Sequence, residues 1–330
     1  METNCADGSS PHSSEEVFSS DKSLQNEKGV ESTREGNWSD LTEQALVDIF
    51  SRLNLGERWN RASPVCKSWF KASRDPFLWH VVDFEQYFGR TRENAFWWTV
   101  EFQKKIDRMV KIAVDCGGGN LRELHVRHCS DESIAYMAQR CPNIQRLSIK
   151  TCQNVTDTSV CQIASGCYKI EELDISYCYN ISHASLEKIG ANCKYLTTLK
   201  RNMLNSLDPS EHRDAIPTEY INMAPLSGDD EATVFAKYMP NLKHLEIKFS
   251  KLSPKGLRIL VDGCPNLEHL DLFGCLNLRS RELDEVTANA KNLKVLIKPN
   301  FFIPRASFNA ERYGHWQLYD ERFQTNAFQI

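Results

Sequence analysis

Apolar positions recur with a nearly fixed spacing through the second half of the chain. From residue 121 onward, a leading apolar residue followed three positions later by Leu returns every 23 to 26 residues, with one gap of 46, and four of these segments carry the complete order apolar-x-x-Leu-x-apolar-x-x-Cys. The Leu-x-apolar core predicts a short strand, and the rest of each segment is long enough for a helix that stacks on its neighbour. The pattern therefore predicts an α/β solenoid of about seven units. The leading apolar residues are Leu121, Ile144, Ile170, Leu196, Leu242, Leu267 and Leu293.

Cysteines recur at two places in these units. One follows the predicted strand, and the other comes two or three residues before the next leading apolar residue, where the helix should end. A small thiol fits a tight buried corner and can donate a weak hydrogen bond, so we interpret these cysteines as reduced packing residues. Zinc-binding Cys-x-x-Cys spacing is absent, and we expect no metal site. The two sets are Cys129, Cys152, Cys178 and Cys275, and Cys141, Cys167, Cys193 and Cys264.

A second apolar pattern, nearer the N-terminus, has helical spacing. Apolar residues between positions 46 and 53 fall at i, i+3, i+4 and i+7, and Thr42 can cap this helix. After a break at residues 54–56, a second helical piece covers 57–63, and Pro64 suits the first turn of a third helix. Three short helices in about 35 residues cannot enclose a good core alone, so a partner should cover part of their apolar surface.

Residues 83–116 are first aromatic and then amphipathic, which predicts a helical connector or a half-repeat that ends at Cys116 and the glycine triplet 117–119. The adjacent Trp97 and Trp98 could line a ligand site, but we favour packing between the helical module and the solenoid. The predicted apolar side of the connector comprises Phe96, Trp97, Val100, Ile106, Met109, Val110 and Ala113.

The 46-residue gap indicates an insertion at about residues 201–230, which contains three prolines and runs into the acidic stretch 229–231. Insertions in solenoids emerge on one face, and that face is often the binding face. A tolerated surface loop and a contact role both stay open.

The two ends of the chain have different compositions. Residues 1–36 hold eight serines and eight acidic against three basic residues, which predicts a disordered spacer; phosphorylation of its serines is the alternative. Residues 299–330 lack the repeat but are rich in aromatic residues. We interpret them as a cap over the open end of the solenoid, with contact to its concave face as the alternative.

Charge and motif content narrow the function classes. The net charge is −4, and residues 1–36 account for it, so the rest lacks the basic excess that nucleic-acid binding requires. No run approaches the roughly 20 apolar residues that span a membrane, and no phosphate-binding, hydrolase or metalloprotease motif is present. We therefore expect a non-catalytic protein of the nucleus and/or cytoplasm, with no cofactor and with neither nucleic acid nor membrane as a partner.

Four segments near the N-terminus together resemble an F-box. They read Trp-Ser-Asp-Leu at 38–41, Leu-Val-Asp-Ile-Phe-Ser-Arg-Leu at 46–53, Val-Cys-Lys-Ser-Trp at 65–69 and Asp-Pro-Phe-Leu-Trp at 75–79. The family usually has proline where this chain has Thr42. The repeats are similar to the cysteine-containing leucine-rich repeat that often follows an F-box. The chain as a whole, including Arg-Tyr-Gly-His-Trp at 312–316, resembles a plant F-box/leucine-rich-repeat group.

This resemblance implies the substrate-recognition subunit of an SCF-type ubiquitin ligase, which docks on a Skp-family adaptor and holds a protein target for ubiquitination. A protein-interaction scaffold without ubiquitination is the alternative. Related plant hormone receptors close a longer ring around a small molecule, whereas about seven units should form a short open arc. The expected parts are a tail at 1–36, an F-box at 37–82, a helical connector at 83–116, leucine-rich repeats at 117–298 with the inserted loop, and a cap at 299–330.

Two surfaces hold the candidate site residues. Apolar side chains of the helical module should form the adaptor contact or its support. Outward-facing strand residues, with charges of both signs in rows, should bind the target on the concave face. The adaptor set is Leu41, Leu46, Ile49, Phe50, Leu53, Val65 and Trp69. The target set is His125, Arg127, Ser148, Lys150, Asp174, Ser176, Lys200, Glu246, Lys248, Asp271 and Phe273.

Overall fold

The computed structural model describes residues 38–88, 94–204, 216–223, 228–288 and 290–299. Within these residues, eight parallel strands form one sheet in which every strand pairs with its neighbours in sequence. The sheet is therefore an open arc with one edge at each end. The strands are β1 Val81–Asp83, β2 Glu123–Arg127, β3 Arg146–Lys150, β4 Glu172–Asp174, β5 Thr198–Lys200, β6 His244–Glu246, β7 His269–Asp271 and β8 Val295–Ile297.

Helices fill the connections between successive strands, as parallel pairing requires. Shorter helical pieces are the π-helix Arg58–Ala62 and the 3-10 helices Trp38–Asp40, Pro76–Trp79 and Ala95–Trp98. The α-helices are α1 Glu43–Ser51, α2 Leu55–Glu57, α3 Lys67–Ala72, α4 Glu85–Phe88, α5 Val100–Gly117, α6 Asp131–Arg140, α7 Asp157–Gly166, α8 His183–Asn192, α9 Thr218–Asn222, α10 Asp229–Tyr238, α11 Pro254–Gly263 and α12 Ser280–Thr287.

A ladder of leucines runs through the sheet and sets its register. The leucine at the second position of each strand from β2 to β7 is the Cα partner of the leucine in the next strand. These side chains are buried from Leu124 to Leu270, and Leu296 in the last strand is half-buried. Seven strands thus follow the seven leading apolar positions, which confirms the predicted α/β solenoid.

The sheet also contains a strand that the repeat pattern does not mark. In β1, Val82 pairs with Leu124 and is completely buried. The predicted boundary between the helical module and the connector at residues 82–83 therefore cuts through a strand of the sheet. The short sequence Val81–Asp83 has no leading leucine at repeat spacing, so its sequence carried no signal for the solenoid.

Thiols connect neighbouring units, in line with the sequence prediction. The four cysteines expected at helix ends directly follow α6, α7, α8 and α11, and all are buried. Two of the cysteines after the strands bond back to the preceding unit: Cys178 Sγ donates to the Ile149 carbonyl at 2.8 Å, and Cys275 Sγ donates to the Ile247 carbonyl at 3.2 Å.

Aspartates stitch successive helices together at their N-termini. Asp157, in the first turn of α7, accepts hydrogen bonds from the backbone N–H and the hydroxyl of Ser182 at 2.8 and 2.6 Å, and from Ser185 Oγ at 2.6 Å. Ser182 in turn caps α8. The carboxylate thus satisfies donors at the start of the next helix that would otherwise lack intrahelical partners. Asp107, Asp131 and Asp229 accept from the equivalent Ser or Thr of the following unit.

Left-handed residues end the strands. His128, Thr151, Tyr177 and Phe249 each precede the post-strand position of their unit, with φ between 53° and 66°. Such a conformation costs an L-residue about 1–2 kcal/mol. Glycine occupies the equivalent position only in the unit of β7, where Gly274 has φ 73°.

Three details of the helical module follow from its capping residues. Thr42 Oγ1 accepts from a backbone N–H in the first turn of α1, so Thr42 serves as the predicted cap. Asn54 forms a capping box that starts α2 two residues before the predicted position. The prediction that Pro64 lies in the first turn of the third helix is wrong, because residues 63–65 form a turn and extended Cys66 is the N-cap of α3.

The predicted apolar side of the connector is wrong at two positions. Phe96 and Val100 are 54% and 56% exposed, whereas Phe102, which the spacing did not select, is 2% exposed. The helix is longer than the apolar pattern and ends at Gly117, with Gly118 left-handed at its C-cap, as the glycine triplet predicts.

The insertion is narrower than the predicted 201–230. Arg201 stands at the core position that Val126 and Ile149 hold in other units, and its side chain is completely buried. At the other end, Asp229 begins α10, the helix of the repeat itself. The described part of the insertion is residues 216–223, which include α9. A buried arginine cannot be recognised as a core residue from its type, which explains the misplaced boundary.

The predicted spacer at 1–36 and the predicted cap beyond Pro299 lie outside the described residues. Among the described helices, none combines the length and the apolar content needed to cross a membrane.

Candidate interaction surfaces

The helical module buries part of the predicted adaptor set in its own core. Leu46 and Phe50 are completely buried, so they can support a contact surface but cannot contact a partner. Leu41, Leu53 and Trp69 are half-buried.

Between residues 41 and 80, four large apolar side chains of the module remain at the surface; Trp38 and Val81 at its two ends are exposed as well. Ile49 and Val65, both in the predicted set, are 37% and 58% exposed, and Phe70 and Phe77 are 47% and 63% exposed. Phe70 and Phe77 are not in the predicted set, although Phe70 directly follows the 65–69 segment and Phe77 lies within the 75–79 segment. Large exposed apolar side chains concentrated in so short a segment are typical of a protein–protein contact. We call Ile49, Val65, Phe70 and Phe77 the apolar patch.

Contacts between α1 and α3 and a buried arginine hold the helices that carry this patch. The rings of Phe50 in α1 and Trp69 in α3 pack edge to face at 5.1 Å, and Lys71 Nζ bonds Glu43 Oε2 at 2.6 Å across the same two helices. The Arg58 guanidinium is buried and donates to the Leu78 carbonyl. Such bracing fixes the module before a partner arrives, which lowers the entropy cost of binding.

The concave face of the sheet is a network of paired charges. Glu85 Oε2 lies 2.6 Å from Arg127 Nη2, and Glu85 Oε1 lies 3.6 Å from Lys150 Nζ. At the other end, Lys248 Nζ lies 3.3 Å from Glu246 Oε2 and 3.1 Å from Asp271 Oδ2. The charged rows predicted from the sequence are thus present, but their members largely neutralise one another.

Glu246 is the most strongly perturbed carboxylate of this network. Burial alone would raise its pKa, but hydrogen bonds from His244 and Asn202 and the charges of Lys248 and Lys200 outweigh burial and lower the pKa to about 2. The carboxylate therefore stays ionised and holds both lysines. Beside it, the rings of His244 and His269 stack with their centroids 4.0 Å apart.

Four residues of the predicted target set are too buried to offer much contact. Ser148 and Ser176 are 4% and 1% exposed, and Asp174 and Asp271 are also buried. Ser176 Oγ instead accepts from Asn202 Nδ2 at 3.1 Å within the sheet. The small side chains lie between long charged neighbours that cover them. The half-buried members are His125, Arg127, Lys150, Lys200, Glu246, Lys248 and Phe273.

An aromatic cluster that the sequence did not predict lies where the strands end. Tyr220 of α9 packs against Trp98 with centroids 4.7 Å apart and against Tyr179 at 4.9 Å, and Met203 completes the buried group. Trp98 also contacts His128 edge to face at 5.1 Å. Burial, followed by the charge of the neighbouring Arg127, lowers the pKa of His128 to about 4. Trp98 was expected to pack in the core, but its contact with the insertion was not foreseen.

The repeated thiols are poor nucleophiles. Burial raises the pKa of Cys141 and Cys193 to about 11, and that of Cys167, Cys264 and Cys275 to about 12. Only the thiolate reacts readily, so these cysteines pack rather than react.

A braced helical module with an exposed apolar patch, continuous with an open parallel solenoid, defines a protein-interaction class of molecule. Residues 38–85 match the family model described as F-box-like. The F-box protein SKIP1 of Arabidopsis thaliana is 46% identical over 89% of this chain and 98% of its own length. F-box/LRR-repeat protein 19 of the same plant is 49% identical over 84% of this chain and 93% of its own length. The chain belongs to the plant F-box/leucine-rich-repeat proteins.

Among solved structures, the yeast complex of Rad7 and Elc1 has a TM-score of 0.43 and 14% sequence identity. The match covers 57% of this chain and 45% of that chain. At this level the likeness bears on neither mechanism nor partners.

Proposed function

We propose that this chain is the substrate-recognition subunit of an SCF-type ubiquitin ligase. Its F-box docks on a Skp-family adaptor of a cullin–RING ligase, and its solenoid holds a protein target for ubiquitination and proteasomal degradation. The observation that carries the proposal is the apolar patch, because it combines four exposed apolar side chains within residues 49–77 of a matched F-box.

The side chains of the apolar patch would be more stable when covered by a partner protein than when exposed to water. Fully burying each of these side chains would contribute about 1.5–3 kcal/mol, and part of that gain is still available at the surface. Beneath the patch, Leu46 and Phe50 fill the core and fix the spacing of α1 and α3. Adaptor contact therefore falls to exposed Ile49 and Val65, with Leu41, Leu53 and Trp69 at its half-buried margin.

The proposed mechanism is catalysis by proximity. Two binding surfaces on one chain keep the target near a charged ubiquitin-conjugating enzyme, which raises the effective concentration of the target lysine. This role needs no catalytic group in the chain itself, and the raised thiol pKa values agree with a non-catalytic subunit. We propose the nucleus and/or the cytoplasm as its location.

Target recognition would occur on the concave face. Because Arg127, Lys150 and Lys248 already face carboxylates, a strongly charged target would have to break these pairs before binding. A polar, nearly neutral target surface costs less desolvation. Specificity then rests on shape and on aromatic anchors such as Phe273, which packs edge to face on Phe249 at 5.5 Å.

A protein-interaction scaffold that ubiquitinates nothing is the alternative, and turnover separates the two. Partners captured by the full chain under proteasome inhibition would first be identified. Their half-lives would then be compared in cells that express the wild type or Ile49→Asp with Val65→Asp. A receptor predicts that the double variant still binds its partner but lengthens the partner's half-life, whereas an unchanged half-life supports the scaffold.

A matched control uses large apolar side chains that are at least as exposed as Ile49 and Val65 but lie on the solenoid. Tyr195 and Leu276 are 64% and 59% exposed. Tyr195→Asp with Leu276→Asp adds the same charges outside the F-box, and partner turnover should remain that of the wild type.

A further inference from the structure

The described part of the insertion packs on the solenoid through the buried Tyr220, with Ile216 partly buried beside it. Tyr220 of α9 is 2% exposed, although Glu219, Asn222 and Met223 of the same segment are exposed. Its ring lies between Trp98, which precedes α5, and Tyr179, which follows β4. Among the α9 side chains that the structure describes, Tyr220 alone anchors the insertion.

Trp98, Tyr179 and Met203 form the niche that receives Tyr220, and the polar groups of the niche and of Tyr220 do not pair with one another. Trp98 is more than nine-tenths buried, and its indole Nε1–H has no hydrogen-bond partner among the residues that the structure describes; within the same residues the buried Tyr220 hydroxyl has none either. Tyr179 differs, because its hydroxyl accepts from the Leu204 backbone N–H at 2.8 Å. Buried polar groups nearly always find partners, so two unpaired groups at one contact indicate that Tyr220 fits the shape of the niche but not its hydrogen-bonding needs.

We propose that the niche formed by Trp98, Tyr179 and Met203 is a binding site for an aromatic side chain of the target protein, and that Tyr220 occupies it in cis until the target displaces it. The proposal rests on the proposed function, since it names the target feature that the solenoid recognises. An incoming segment is not constrained by the backbone of α9, so it can also bring a carbonyl acceptor to the Trp98 indole.

The chemistry of the niche favours a neutral aromatic ring. Its walls are two aromatic rings and a thioether, and the nearest buried cation, Arg201, is already paired with Glu231 at 3.1 Å. Burial raises the pKa of Tyr179 to about 12, which shows how strongly this environment opposes a negative charge on a ring. A phosphorylated tyrosine would therefore be excluded, whereas phenylalanine or tyrosine would fit.

The Trp98 indole offers a direct reporter in the full-length protein. The chain has seven tryptophans, and their ¹⁵N-labelled indole signals can be assigned by single Trp→Phe changes, including Trp98→Phe. The variants are Tyr220→Ala, which empties the niche, and Tyr220→Phe, which keeps the ring but removes the unpaired hydroxyl. Tyr195→Ala changes an exposed tyrosine elsewhere and serves as the control.

The probes are N-acetyl-phenylalaninamide, N-acetyl-phosphotyrosinamide and N-acetyl-leucinamide. N-acetyl-phenylalaninamide should shift the Trp98 indole signal saturably, with an apparent affinity at least about tenfold higher in Tyr220→Ala than in the wild type, since the resident ring no longer competes. The phosphorylated and leucine probes should not shift it. Without probe, exchange of the Trp98 indole proton with water should be faster in Tyr220→Ala and slower in Tyr220→Phe than in the wild type.

Equal probe affinity in the wild type and Tyr220→Ala would overturn the displacement, and no saturable shift in either protein would overturn the site. The Trp98 ring could fill the niche that Tyr220→Ala empties, and the probe would then find no site in that variant. In that case the test is the exchange rate of the Trp98 indole proton in Tyr220→Phe, which the proposal requires to be lower than in the wild type. Adaptor binding should be unchanged in both Tyr220 variants. Ile49→Asp with Val65→Asp should bind the probe as the wild type does. Failure of the aromatic site and failure of adaptor docking can therefore be told apart.

Discussion

Arg201 and Glu231 form a buried ion pair, with 3.1 Å between Nη2 and Oε1, in the unit that carries the insertion. The same guanidinium donates to the carbonyls of Cys178 at 2.6 Å and Ile181 at 2.9 Å in the preceding unit. The pair thereby joins the end of β5 to α10 across the inserted residues. Arg201 takes the place of the aliphatic side chain that other units have at this position.

Arg201→Ile alone should destabilise the protein by about 3–5 kcal/mol, because it leaves the Glu231 carboxylate buried without its partner. Arg201→Ile with Glu231→Leu should recover most of this loss, since isoleucine is the residue other units use at this position. Urea unfolding followed by circular dichroism measures both values. Equal losses in the single and double variants would show that the destabilisation by Arg201→Ile does not come from the unpaired Glu231 carboxylate.

Asp157→Ala should cost about 2 kcal/mol, because it removes three hydrogen bonds at the junction of α7 and α8, including support for a helix cap. Asp48→Ala removes a carboxylate that is exposed and paired only with Arg52 at 3.4 Å, and should cost under about 0.5 kcal/mol. Chemical denaturation of the two variants side by side provides the comparison. Similar losses would argue against the aspartate stitch between units.

Gly274→Ala should destabilise the solenoid by about 3 kcal/mol, combining left-handed strain with overpacking. A Cβ at this position would lie 2.3 Å from Cδ1 of the Phe249 ring. Gly274→Ala with Phe249→Ala should recover the part of the stability loss that comes from the clash with the Phe249 ring. It should not recover the part that comes from the left-handed backbone. Gly56→Ala is the control, because its Cβ would meet only Asn54 Oδ1 at 3.4 Å. The prediction fails if the second substitution restores nothing.

Acidification should unfold the protein in two overlapping stages. The pKa of His128 is lowered from 6.5 to about 4, so the stability that neutral His128 contributes is present above pH 6.5 and lost as the pH falls towards 4. The pKa of Glu246 is lowered from 4.5 to about 2, so its contribution is present above pH 4.5 and lost as the pH falls towards 2.

Two substitutions separate these stages in unfolding free energies measured across pH. His128→Asn should reduce the fall in unfolding free energy between pH 6.5 and 4, and asparagine tolerates the left-handed backbone at this position. Glu246→Gln should reduce the fall between pH 4.5 and 2. A steep fall between pH 6.5 and 4 that persists in His128→Asn would assign that loss to another group.

The sequence predicted the features whose determinants are local and periodic. Leu124 and its partners recur at repeat spacing, Cys141 marks the end of its helix, and Thr42 is a favoured cap residue. Each of these depends on residue type and on neighbours within a few positions.

The missed features depend on contacts between distant segments. Val82 becomes a strand because β2 lies beside it, and Arg201 is tolerated in the core because Glu231 and backbone carbonyls of the previous unit surround it. Tyr220 and Trp98 lie far apart in the sequence but are in contact in the structure, and the residues around one give no indication that it packs against the other. Likewise, Phe50 and Ile49 share an apolar stripe, and only the packing of Trp69 shows which of them is buried.

The most direct test is the affinity of the full chain for a Skp-family adaptor, measured by titration calorimetry. Ile49→Asp with Val65→Asp should weaken binding at least about 100-fold, since both charges would be desolvated in the contact. Tyr195→Asp with Leu276→Asp should bind like the wild type. Wild-type affinity in a folded Ile49→Asp with Val65→Asp variant would contradict docking through the apolar patch.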